Sequence, residues 1–301
     1  MKIEWIEDFL ALIEAGTFSH AAERRHVTQP AFSRRIRQLE EWLGVELIDR
    51  QATHLRLTPQ GRLHEPQLRD WLARLYALRS RMRAEAIHGR RAVLTTQHTL
   101  TVSYLPRLLR YFRHHAPDAR LQVRSSNRAD CINDFERGEA DLMVCSELQG
   151  MPLLTERRDI ERLELGQEQL IPVSATDHAG RPLHEPHPYD PLPLIGYDRD
   201  SFLGSALATP FMFDIQRRFD IELVCETAFT IGIKELALSG LGIGWLPHGL
   251  IEGELESGKL VSLLDVLGGP MLAVAGYRHT TQSFEAAERL WALMQEAPPA
   301  V

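Results

Sequence analysis

The chain has 301 residues, 44% of them apolar and 25% charged, with a formal net charge of −7. The length leaves room for two or three domains, and the composition is that of a globular protein rather than a disordered or fibrous one. No apolar run approaches the roughly eighteen residues of a membrane span. The N-terminus reads as an acidic amphipathic helix rather than a secretory leader. Cys131, Cys145 and Cys225 lie far apart with no CxxC. That argues against a disulfide framework or a zinc site and for a reduced, cytoplasmic protein.

Trp5, Phe9, Leu12 and Ile13 give the first helix an apolar face, ended by Gly16 as a C-cap. A second helix opens near Ser19, which is placed to cap it. Ala21 and Ala22 are small enough for another helix to cross closely. After a break at His26-Val27, Thr28-Gln29-Pro30 opens a third helix, with Thr28 as N-cap and proline in the first turn. Phe32, Ile36, Leu39 and Leu43 share one face of it, and Gln29, Ser33, Arg34 and Arg37 lie on the others. Gln and Arg can pair with base edges in a major groove, and Ser and Arg reach phosphates. An amphipathic surface helix with a solvated basic face is the alternative.

The net charge argues weakly against a nucleic-acid binder, and its distribution removes the objection. Residues 1–62 hold nine Lys/Arg and nine Asp/Glu, so the net −7 lies beyond them. Residues 24–37 hold Arg24, Arg25, Arg34, Arg35 and Arg37 and no acid. A local basic face suffices for phosphate, because screening removes charges beyond about 10 Å. Val45–Ile48 and Leu55–Leu57 alternate as two short strands around a polar loop, a wing in which Arg50, His54 and Arg56 could meet the backbone. For Arg50, bracing of the domain weighs equally.

Thr58 caps the next helix, read from about Pro59 to Ile87 with Pro66 as a local kink. Leu68, Leu72, Leu75, Leu78 and Met82 form an apolar stripe, suited to pairing with a second copy or to packing on its own domain. A hinge follows at 88–91. Strands and helices then alternate: a strand at Ala92–Thr96, a helix at Leu100–His115, a strand at Arg120–Ser125, a helix at Ala129–Arg137 and a strand at Leu142–Cys145. Further strands are read at Leu170–Val173, Leu192–Tyr197, Glu222–Glu226 and Met271–Tyr277, with helices near Ser201, at Phe229–Leu238 and at Ser283–Gln295. This order implies an α/β sheet with right-handed crossovers.

Ala21-Ala22, Thr28-Gln29-Pro30-Ala31, Ser33, Ile36, Leu39-Glu40, Leu43-Gly44, Leu47 and Arg50 resemble the DNA-binding motif of the LysR-type transcriptional regulators. Arg25 and Ile48 depart from it, standing where the family usually has leucine and phenylalanine. Gly138-Glu139-Ala140-Asp141 and Ser239–Pro247 are similar to turns of the family's effector domain. The resemblance implies an all-α-rich winged helix-turn-helix over 1–62, a dimerisation helix and hinge over 63–91, and a periplasmic-binding-protein-like α/β effector domain over 92–301. Its two subdomains would comprise about 92–164 with 267–301, and about 165–266, with crossings near Glu164 and Leu267. DNA contacts fall to Thr28, Gln29, Pro30, Ser33, Arg34, Arg37 and Arg50. The implied partners are a pseudo-palindromic operator, a second copy in a homodimer or homotetramer, RNA polymerase and a small-molecule effector.

In such a fold an effector sits between the subdomains, where helix starts meet. The implied lining is Gln97, Thr99, Leu100, Thr101, Ser201, Phe202, Phe229 and Thr230, though each polar residue alone reads as a cap. No cofactor, metal ligand set or catalytic constellation is read. A resemblance to the hypochlorite-responsive LysR subgroup, in the starting W-x-x-D-F-L, in R-Q-x-T-x-L-x-L, in the S-x-x-G at Ser201 and in the S-G-K-L-V at Ser257, offers oxidant sensing as an alternative. Met143, Met151, Met212, Met271 or a cysteine would act, although Leu203 and Ile231 stand where sulfur would be sought. A solute-binding protein or an enzyme using the same cleft is a lesser alternative.

Overall fold

The computed structural model describes all residues except 51–53, 87–90, 156, 158, 188, 209, 281–284 and 297–301. Residues 88–90 of the hinge expected at 88–91, residues 51–53 of the expected wing loop and the expected helix start at Ser283 lie outside the described residues. The chain forms two compact units, Met1–Arg83 and Ala84–Val301.

The first unit contains α1 (Ile3–Ala15), α2 (Phe18–Arg24), α3 (Gln29–Leu43) and most of α4 (Pro59–Ala86). Gly16 and Gly44, at φ of 70° and 73°, end α1 and α3 in the left-handed conformation that glycine adopts without strain. The N-cap of α2 is Thr17, which accepts from the His20 N–H at 3.3 Å, not Ser19. The helix starts one residue before Ser19, so its hydroxyl is past the capping position. Thr28 stands at the N-cap of α3 but makes no side-chain cap bond. Ile6, Phe9, Leu12, Ala21, Ala22, Phe32, Ile36, Leu39, Leu47 and Ile48 form one core, and Leu68 and Leu72 of α4 pack against it.

The two wing strands are reduced to a bridge between Ile48 and Leu57, with Asp49 N–H donating to the Arg56 carbonyl at 2.8 Å. Thr58 then caps α4: its hydroxyl donates to the Glu46 carbonyl at 2.7 Å and accepts from the Gly61 N–H at 3.0 Å. A Cβ on Gly61 would lie 2.4 Å from the Leu47 carbonyl oxygen, so this close approach requires glycine. Pro66 lies inside α4.

The second unit runs β1 (Arg91–Gln97), α5 (His98–Ser103), α6 (Leu105–His115), β2 (Arg120–Ser126), α7 (Arg128–Glu136), β3 (Leu142–Leu148) and β4 (Ile160–Ala175). It continues with β5 (Leu192–Gly196), α8 (Phe202–Leu207), α9 (Pro210–Arg218), β6 (Ile221–Glu226), α10 (Thr230–Leu238) and β7 (Gly244–Pro247). Then come α11 (His248–Glu256), β8 (Leu260–Ser262), α12 (Leu264–Leu267), β9 (Met271–His279) and α13 (Glu285–Glu296). The sheet order is β2-β1-β3-β9-β4-β7, with β8 on β4 and a separate β5-β6 pair.

Two lobes result, each with its own core. β4 joins them: up to Gln169 it pairs with β9, and from Leu170 it pairs with β7. Its register shifts between Glu164 and Gly166, where the first crossing is expected. The helix expected to begin near Ser201 does so as α8, with Ser201 as its N-cap. Two other expectations are corrected. The single helix at Leu100–His115 is two, broken at Tyr104, because Pro106 opens a new helix. The strand expected from Leu170 begins at Ile160. Its charged residues are matched across the sheet edge, Glu161 with Arg278 at 2.6 Å and Arg162 with Glu147 at 2.7 Å.

Candidate functional site

In the first unit, α1 sorts the arginines of the basic run. Arg24 pairs with Glu14 at 3.0 Å, and Arg25 pairs with Glu7 at 2.6 Å and Asp8 at 2.7 Å. Arg35 reaches Asp8 at 3.3 Å and Glu4 at 4.0 Å. Asp8 is fully buried, so two guanidinium groups satisfy it. The carboxylates hold the Arg25 guanidinium above the ordinary arginine range, although burial alone would lower it. Five arginines of one apparent face therefore divide into three that brace α1 and two, Arg34 and Arg37, that are exposed. Among the described residues, those two have no ion-pair or hydrogen-bond partner. Gln29 and Pro30 are exposed beside them, with Thr28 at the start of the helix and Ser33 part-buried.

Arg50 is placed otherwise. Its guanidinium meets Glu40 at 2.5 Å, and the other Glu40 oxygen accepts the N–H groups of Leu47 and Ile48 at 2.9 and 3.1 Å. This buried carboxylate fastens the wing to α3, and of the two readings of Arg50 the geometry is that of bracing. The W-x-x-D-F-L start and the L-E pair contain Asp8 and Glu40, but which cation each would hold depends on how the helices cross.

In the second unit, the residues assigned to an effector separate into three groups. Thr99 of the first lobe and Thr230 of the second share a hydrogen bond at 2.9 Å, which closes across the cleft. Near Thr230, the Tyr197 hydroxyl donates to the Trp245 carbonyl at 3.0 Å; burial holds that phenol well above its ordinary range. Phe202 faces Arg128 across the lobes, with the guanidinium carbon 4.1 Å from the ring centre, and Phe229 is exposed.

Leu100 is withdrawn: only 1% exposed, it belongs to the core of the first lobe. Gln97, Thr101 and Ser201 are engaged internally. Gln97 accepts the Ser146 N–H at 2.6 Å, and the Thr101 hydroxyl donates to Ser125 at 3.0 Å. Ser201 donates to the Asp198 carbonyl at 2.6 Å and accepts from Gly204 N–H at 3.0 Å, a cap. Arg128 and Tyr197 escaped the sequence reading, because neither sits at a recognisable turn.

The cysteines also need revision. Cys131 and Cys145 share one buried cluster, although far apart in sequence, and the Cys131 thiol donates to the Ser126 carbonyl at 3.8 Å. The contact with Cys131, together with complete burial, pushes the Cys145 thiol up.

A trihelical head with an exposed Gln/Arg helix face, attached to a two-lobed α/β domain, defines a DNA-binding regulator with a ligand-sensing domain. Residues 3–62 match the model for the bacterial regulatory helix-turn-helix protein, lysR family, and residues 88–299 match that for the LysR substrate binding domain. The chain belongs to the LysR family of transcriptional regulators. It is 32% identical over 301 residues to the HTH-type transcriptional regulator YjiE of Escherichia coli K12, covering 98% of this chain and 95% of that protein. The crystal structure of Vibrio fischeri DarR in complex with DNA aligns with a TM-score of 0.61 at 26% identity, covering 99% of each chain. Full-length HypT of Salmonella typhimurium, a hypochlorite-specific LysR-type regulator, aligns with a TM-score of 0.57 at 26% identity, covering 98% of this chain and 97% of that one. These relatives are regulators, and the readings as an enzyme or a solute-binding protein are set aside. No described helix is long and apolar enough to cross a membrane.

Proposed function

We propose that the protein acts in the cytoplasm as a homodimer or homotetramer on a pseudo-palindromic operator. A small molecule in the cleft between the lobes would alter the spacing of the DNA-binding heads and so the access of RNA polymerase. The observation that carries the DNA reading is the sorting of the arginines: α1 neutralises three, and Arg34 and Arg37 remain exposed beside Gln29. Gln29 is assigned to a base edge, Arg34 and Arg37 to phosphate or guanine, and Thr28 and Ser33 to the backbone. The similarity to DarR, solved in complex with DNA, supports DNA binding. Operator binding by Gln29→Ala and Ser33→Ala, measured by fluorescence anisotropy, tests it. Gln29→Ala should weaken binding about tenfold and relax sequence preference, since a good bidentate pair is worth about 1–3 kcal/mol. Unchanged binding in both variants would remove α3 from the interface.

A second reading, oxidant sensing, is supported by the placement of Cys131 and Cys145 in one buried cluster and by similarity to HypT, a hypochlorite-specific regulator. Of the methionines, Met143 is fully buried and Met151 is 65% exposed. Cys131→Ser should abolish an oxidant effect on DNA binding if the thiol pair senses, and a retained effect would pass the role to Met151, Met212 or Met271.

A further inference from the structure

Arg128 is the first residue of α7 in one lobe, and Phe202 the first of α8 in the other. The stack between them places the guanidinium in the gap between the lobes. Arg128 is part-buried and, among the described residues, makes no hydrogen bond and no ion pair. Other part-buried arginines of the same lobe behave differently. Arg124 meets Asp134 at 3.7 Å, Arg157 meets Asp159 at 2.7 Å, Arg162 meets Glu147 at 2.7 Å and Arg278 meets Glu161 at 2.6 Å. Glu147, a carboxylate whose charge reaches Arg128, is held by Arg162, by Tyr277 and by the Leu153 N–H.

A partly desolvated guanidinium without an anion is unfavourable, and burial holds this one below the ordinary arginine range. A ring against its face leaves the donor edge unused, and that edge is a fork matching the two oxygens of a carboxylate. The Thr99 and Thr230 hydroxyls add polar groups that bridge the same two lobes.

We infer that the effector is a small carboxylate and that Arg128 is the residue that recognises its charge. The inference rests on the reading of the cleft as the effector site. Melting of the full-length protein tests it, with benzoate against benzamide and malonate against malonamide as probes. At least one carboxylate should raise Tm, by about 5 °C at roughly a hundredfold excess over its Kd, while its amide leaves Tm unmoved. Arg128→Gln should lose the response, and Arg128→Lys, which keeps the charge without the fork, should recover part of it. Equal shifts by acid and amide, no shift by either acid, or a full response in Arg128→Gln would overturn the inference. Thr99→Leu, which crowds the cleft, separates the two readings. A response lost in Thr99→Leu but kept in Arg128→Gln contradicts Arg128 and leaves the cleft standing. A response kept in both variants contradicts the cleft itself, whereas one kept in Thr99→Leu and lost in Arg128→Gln supports Arg128 without the Thr99–Thr230 bridge.

Discussion

Asp8 has no exposed side-chain surface, yet it holds Arg25 at 2.7 Å and Arg35 at 3.3 Å. Removing one partner of a buried pair leaves the other charge uncompensated, at a cost of about 3–5 kcal/mol. Glu7 and Glu4 remain near the two arginines, so Asp8→Ala should destabilise the head by about 3 kcal/mol in urea unfolding. A loss below about 0.5 kcal/mol would show that the arginines do not depend on it. Arg50→Ala should lower the melting temperature by freeing Glu40, while leaving the salt dependence of DNA binding unchanged. A slope reduced by about one would return Arg50 to the phosphates. Gln29, Arg34 and Arg37 were legible from residue type and from the apolar spacing of Phe32, Ile36 and Leu39. The division of the arginines was not, because pairing with α1 is set by helix crossing and not by order along α3.

At the scale of elements, α4 both anchors and exposes. Leu68 and Leu72 pack on the head, Arg69 meets Glu14 at 3.1 Å, and the Tyr76 hydroxyl donates to Glu7. Further along, Trp71, Leu78 and Met82 remain 41%, 46% and 62% exposed. These three lie within one narrow arc of the helix at 100° per residue. The apolar stripe thus divides between the head and a face proposed to meet a second copy. Leu78→Glu with Met82→Glu should shift the protein toward monomer in light scattering, and an unchanged mass would assign association elsewhere. Gly61→Ala, forcing a Cβ against the Leu47 carbonyl, should destabilise the head by about 2 kcal/mol.

Other elements were harder to read. The first half of β4 carries Glu161, Arg162 and Glu164, charges that suit a strand only because Arg278 and Glu147 stand across from Glu161 and Arg162. The break at Tyr104 was masked because the apolar spacing runs on through Leu105 and Leu108.

Across the whole effector unit, β4 carries Glu168 between the lobes. Its carboxylate accepts the Gly249 N–H of α11 at 3.0 Å, with Ser103 of α5 and His248 nearby. Burial raises its pKa above 4.5, although that bond and His248 lower it in part. The folded state therefore binds the proton more tightly than the unfolded chain. The resulting stability is complete below pH 4.5 and is lost as pH rises through the higher folded pKa. Glu168→Gln should raise Tm at pH 7 and flatten this part of the profile, and an unchanged profile would remove Glu168 as its source. The cleft was legible as a place, from the alternation of strands and helices and the glycine turns. Its chemistry was not, since Arg128 has meaning only once Phe202 stands opposite and no carboxylate does.

The most direct test of DNA recognition by the exposed face of α3 is the salt dependence of binding to the intergenic DNA beside the protein's own gene. The wild type, an Arg34→Ala/Arg37→Ala double variant and Arg24→Ala should be compared. Arg24 lies in the same basic run but pairs with Glu14 at 3.0 Å. The slope of log K against log salt should fall by about two in the double variant and stay unchanged in Arg24→Ala. Equal slopes for the wild type and the double variant, or an equal fall in both variants, would contradict the account.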